Sequence, residues 1–79
     1  MSEALVNRWQ VFVGVDPSHC NVPQGPLVDS AKAAATIYDS ADLEYPLTCK
    51  RIVRMAFPSR PFAVASQVTV VRANHTAGA

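Results

Sequence analysis

Long apolar runs are missing from this chain. Charge, proline or glycine breaks every one of them well short of the roughly 20 residues that a spanning helix needs. The start, Met1-Ser2-Glu3-Ala4, is acidic and leads into no long apolar segment, so the pattern of a secretory signal is missing too. These absences predict a soluble, cytoplasmic protein with no membrane contact. There are only two cysteines, Cys20 and Cys49. That is too few for a disulfide framework in a short chain, and in a reducing compartment two cysteines are usually buried thiols. The three glycines, at 14, 25 and 78, match no phosphate-cradling fingerprint. Acid is missing altogether after Glu44.

What is present is modest in size. Seventy-nine residues allow one domain. Such a domain buries only about 60% of its unfolded surface. A 49% hydrophobic content, mostly valine and alanine, supplies a core and argues against disorder. The six aromatics are Trp9, Phe12, Tyr38, Tyr45, Phe57 and Phe62.

The net charge of +1 hides an asymmetry. Glu3, Asp16, Asp29, Asp39, Asp42 and Glu44 face only Arg8 and Lys32 in residues 1–46, which gives that half a charge of −4. Lys50, Arg51, Arg54, Arg60 and Arg72 give residues 47–79 a charge of +5. Three arrangements follow physically. The halves fold together and neutralise one another; the basic half steers toward an acidic or polyanionic surface; or copies associate acidic face to basic face.

Residues 9–16 alternate, with Trp9, Val11, Val13 and Val15 on one side, and predict a strand. Asp16-Pro17-Ser18 predicts its end. Residues 17–26 hold three prolines and a glycine and predict a loop. Pro26 suits the first turn of a helix over Leu27–Asp39. Its apolar stripe is Val28, Ala31, Ala35 and Tyr38, widened by Leu27 and Ala34. Residues 50–57 place Val53, Met55 and Phe57 on one face of a strand. Cys49, Ile52, Val53 and Ala56 also fit helical spacing, so 47–56 stays open between the two. Pro58-Ser59-Arg60-Pro61 predicts a hairpin loop, and 62–71 a further strand. The tail from Asn74 to Ala79 predicts fraying.

The expected fold is therefore α+β: one domain over 1–74, in β-α-β-β order, with a single helix on a three-stranded sheet, followed by a disordered 75–79 tail. A parallel pairing of the first strand would require a right-handed crossover. One helix covers one sheet face only, so a homodimer or a docking surface is expected at the open face and edge.

No motif carries catalysis. Asp16, His19, Cys20, Cys49 and His75 lack the paired spacing that zinc requires. Nothing around the cysteines supplies an activated nucleophile. Asp39, Asp42 and Glu44 read as a solvated acidic surface. Asn74-His75-Thr76 has the form of a glycosylation acceptor by chance. No cofactor and no metal is expected. The expected function is a non-enzymatic interaction protein that binds a protein partner or itself, of the accessory or inhibitor type that phages and mobile elements carry. The candidate binding residues are Lys50, Arg51, Arg54 and Arg60. A second reading is a nucleic-acid module using the same basic segment, with Phe57 and Phe62 stacking on bases. A pI of 7.8 is low for such a module. A third reading is a small enzyme with its site at a dimer interface.

Overall fold

The computed structural model describes residues 4–75. Strand β1 runs over Leu5–Gly14, followed by a short 3-10 turn at Pro17–His19. Strand β2 runs over Val22–Val28, helix α1 over Ala31–Ser40, strand β3 over Cys49–Pro58 and strand β4 over Gln67–His75. The four strands form one sheet in the order β2-β1-β3-β4, every neighbour antiparallel. The sheet is thus two hairpins, β1–β2 and β3–β4, joined along β1–β3.

The α+β class is as expected, but the element order is β-β-α-β-β with four strands, not β-α-β-β with three. The extra strand is β2, which lies in the stretch read as loop. Proline cannot donate to a ladder, and it is tolerated where the missing N–H would face solvent. Pro23 and Pro26 stand on an edge strand, so the sheet loses nothing to them. The register slips between Trp9 and Val11. Across that slip Gly25 adopts φ +81°, and the buried Gln10 side chain donates Nε2–H to the Gly25 carbonyl at 2.6 Å. Pro26 therefore belongs to β2. The helix starts later, at Ala31, with the Ser30 hydroxyl accepting from Ala33 N–H at 3.1 Å. With no parallel pair in the sheet, the condition for a right-handed crossover does not arise.

Residues 49–58 resolve as strand, the alternative favoured by Val53, Met55 and Phe57. The fourth strand starts at Gln67 and not at 62. Phe62 to Ser66 belong to the connection, and Ser66 N–H donates to the Ala56 carbonyl at 2.7 Å to open the ladder. Asn74 and His75 lie within β4 rather than in a tail. The expectation of fraying for residues 76–79, and the reading of Met1-Ser2-Glu3, fall outside the described residues.

Cross-strand partners share a face. One face carries Trp9, Val11 and Ile52, and α1 packs on it through Ala34 and Tyr38, with Val28, Ala35 and Ile37 alongside. The helical stripe is turned from the expected one: Ala34 is fully buried and Ala31 is exposed. Among the described residues, no helix is long and apolar enough to cross a membrane.

Candidate functional site

Strand alternation separates the candidate cations. Lys50 points to the helix side. Its ammonium donates to the carbonyls of Tyr38 (2.7 Å) and Ala41 (3.2 Å) and lies 4.6 Å from the centre of the Tyr38 ring. A cation on the last carbonyls of a helix satisfies orphan acceptors and opposes the macrodipole, so Lys50 holds α1 to the sheet. Arg72, outside the set Lys50, Arg51, Arg54 and Arg60, joins it. It pairs with Asp39 at 3.3 Å and lies 5.3 Å from the centre of the same ring. Arg54 also lies on the helix side, across from Trp9, and is exposed. Arg60 stands in the β3–β4 connection.

Arg51 lies on the opposite face. The four candidates are therefore not one patch; the structure distributes them over two faces and a loop.

The helix-free face has its own order. Val6 pairs with Phe57, Arg8 with Met55, Gln10 with Val53 and Phe12 with Arg51 across β1–β3. Strand β4 extends these rows: Val68 beside Met55, Val70 beside Val53 and Ala73 beside Arg51. Val68 and Val70 are 64% and 51% exposed. Leu27, Arg60 and Phe62 rim one end of the face beside Val6, Arg8 and Phe57. The other end meets the Pro17–Cys20 segment. No acidic residue lies on any of the four strands; Asp16, Asp29, Asp39, Asp42 and Glu44 stand in turns, connections and the helix. The charge asymmetry of the sequence thus becomes spatial: arginines stand on the strands, Asp29, Asp39, Asp42 and Glu44 lie in or beside α1, and Asp16 caps the turn at one end of the sheet.

Phe62 is fully exposed (103%) and holds φ +61°. This backbone region costs a side chain-bearing residue about 1 kcal/mol or more. A bulky aromatic held there, wholly in solvent, gains no burial to offset the strain. Sequence patterning cannot reveal such a position, because the conformation is set by the connection and not by periodicity.

At the Pro17–Cys20 end, Asp16 Oδ1 accepts from Ser18 N–H (3.0 Å) and Ser18 Oγ–H (2.8 Å), and His19 Nδ1 lies 2.8 Å away. Hydrogen bonds from Ser18 first, then His19, hold the Asp16 carboxyl below its ordinary range. The 3-10 turn is therefore self-contained. It brings Cys20 against Gly14, whose β3 partner is Cys49. Both cysteines are buried free thiols, and burial pushes the Cys20 thiol up. No three His, Cys, Asp or Glu side chains gather into a metal-type cluster among the described residues.

What the fold and this face define is an antiparallel sheet with one helical layer and one open, arginine-bearing, apolar surface. No protein family matches the chain, and neither a curated protein nor a solved structure resembles it significantly.

Proposed function

We propose that the protein is a non-enzymatic interaction module of the cytoplasm, and that its helix-free sheet face holds a partner protein rich in exposed carboxylates. The observation that carries this is composition. The face combines Phe12, Phe57, Met55, Arg8 and Arg51 with valines, and it holds neither lysine nor acid. Interface cores are enriched in aromatics, Met and Arg, and depleted in Lys, Glu and Asp. Phe62, fully exposed at the rim, has the character of an anchor that is buried only on binding. Two buried free thiols fit a reducing compartment.

A foreign partner accounts for these features better than a second copy does. Face-to-face self-pairing sets arginines against a surface with no acid to receive them. Edge-to-edge pairing is opposed on both sides, by Pro23 and Pro26 on β2 and by a register break in β4 beside Ile52 and Val53. The test uses native mass and capture together. The purified chain runs as a monomer. Immobilised protein retains a partner that Val70→Glu loses and Lys32→Glu, on the exposed helix side, keeps. Capture undiminished by Val70→Glu, or a dimer that Val70→Glu dissolves, would reject this reading.

One observation favours a second reading, a single-stranded nucleic acid on the same face. Phe12 and Phe57 lie among arginines on an acid-free sheet, and bases stack on such platforms. Arg8, Arg51 and Arg60 would then give a log–log salt slope of about −2 for a single strand. An affinity that is flat in salt removes it.

A further inference from the structure

One buried donor stands out. Among the described residues, Arg51 Nε is the side-chain nitrogen or oxygen that is buried without a hydrogen-bond partner. Its guanidinium stacks 5.6 Å from the centre of the Phe12 ring. Leaving a buried donor unmet costs free energy, and such a group in a native structure calls for an explanation. Arg51 also lines a hollow of about 250 Å³ whose other walls are Pro17, Cys20, Cys49, Val70 and Ala73. It is partly open to solvent and has room for a short organic chain.

The walls are apolar apart from the guanidinium, the thiols and the Asn74 side of the rim. Lys50, which also borders the hollow, has its ammonium committed to the carbonyls of Tyr38 and Ala41. Among the described residues, no carboxylate lines the hollow. Desolvation raises the Cys20 thiol above its ordinary range, so at neutral pH that thiol is uncharged and supplies no counter-ion for Arg51. Arg51 Nε itself is sealed from solvent, so recognition falls to the guanidinium as a whole: at the side of an apolar hollow with no carboxylate beside it among the described residues, it favours an anion with an apolar body. The guanidinium fork matches a carboxylate in two parallel hydrogen bonds.

We propose that this hollow is a binding site for a carboxylate carried on a short aliphatic stem, with Arg51 as its anchor and Cys20, Cys49, Val70 and Ala73 as its apolar walls. The same chemistry reaches the site from two sources, a free aliphatic acid or a glutamate side chain of a bound protein. The site stands on the hollow and on Arg51, and so is independent of whether a partner covers the rest of the face.

The test is titration of the isotopically labelled protein with butyrate, watching the Arg51 Nε–Hε resonance and the Val70 and Ala73 amides. Butyrate shifts these signals saturably in the millimolar range. Butyramide, of equal shape without charge, does not, and inorganic phosphate, charged without a stem, shifts them less. Arg51→Lys keeps the charge but loses the fork, and weakens butyrate by about tenfold. Ala73→Leu fills the hollow from an exposed edge strand and blocks butyrate with Arg51 intact, which covers the case of a poorly folded Arg51 variant. Equal responses to butyrate and butyramide, or undiminished titration of both variants, overturn the proposal. If butyrate also displaces a captured partner, the carboxylate belongs to that protein; if butyrate binds and the partner stays, the ligand is a free acid.

Discussion

Gly14→Ala separates two opposed effects whose sizes can be worked out. In an open strand, alanine in place of glycine is stabilising by roughly 0.5–1 kcal/mol, because the unfolded chain loses freedom. Here the added methyl would stand 2.5 Å from Cys20 Cα and 2.6 Å from the His19 carbonyl carbon. Both obstacles are backbone, so neither turns aside as a flexible side chain would. Overpacking of this kind costs about 1–3 kcal/mol. Lifting the turn also pulls Cys20, 4% exposed, out of its seat and loosens the 3.5 Å contact of its thiol with the Phe12 carbonyl. Exposing one such small apolar side chain adds about 1 kcal/mol. The net loss is about 1–3.5 kcal/mol, out of the roughly 4–12 kcal/mol that a chain of this length commands. With a urea m-value near ~1 kcal/mol/M for a small domain, the midpoint falls by about 1–3.5 M. The assay is urea unfolding followed by circular dichroism, paired with the rate at which a thiol reagent labels Cys20 without denaturant. A midpoint unchanged or raised, with Cys20 still protected, would refute the close approach of the turn to β1.

Phe62→Gly relieves the positive φ and removes a side chain with no burial, so it raises the melting temperature by about 2–6 °C while weakening partner capture; a lowered melting temperature contradicts the strain. Lys50→Met keeps the stem but strips two charged hydrogen bonds from the end of α1, costing about 1.5–3 kcal/mol by urea titration, and a loss under ~0.5 kcal/mol would show that the helix is held otherwise. Stability depends on pH at both ends. The depressed Asp16 contributes stability above its unfolded pKa of 3.8 that is lost as pH falls through the folded value, so Asp16→Asn flattens the acid limb of a stability–pH curve. Cys20 and Tyr38, both raised by burial, contribute stability below their unfolded values of 9.0 and 10.0 that is lost as pH rises through the folded ones. Cys20→Ala therefore softens the alkaline limb, and an unaltered limb counts against a buried neutral thiol.

Much of the sheet was legible from residue order. Alternation from Trp9 to Val13 located the second half of β1, but the strand begins at Leu5, in the stretch ahead of the expected start, and ends at Gly14, short of Val15 and Asp16; Val53, Met55 and Phe57 share a face of β3 as expected. In a strand over these residues alternation alone sets Arg51 opposite Lys50 and Arg54, and that is where it lies. Strand β2 was hidden because Pro23, Gly25 and Pro26 are breakers by composition. They are tolerated through position at an edge, which is a tertiary fact. The same misreading moved the helix start to Leu27, away from Ser30, the residue that caps it. The binding residues were the least legible part. A cluster of cations in sequence says nothing about what each touches. Lys50 is taken up by the end of α1, and Arg72, outside the cluster, by Asp39 and Tyr38. The hollow at Arg51 depends on Pro17 and Cys20 meeting Val70 and Ala73 across some fifty residues, which no local pattern encodes.

The central seam has a consequence for how the molecule assembles. Strand β1 comes from the half with charge −4 and β3 from the half with charge +5, and ten residue pairs run along their junction. Each half closes its own hairpin locally, whereas the seam must wait for the whole helical connection to order. Opposite charge draws the two hairpins together before any side chain interlocks, much as it steers separate proteins. A break in the exposed stretch at Asp42–Pro46 would leave two pieces that still attract. Two such pieces would regain one sheet on meeting, faster at low ionic strength than at high.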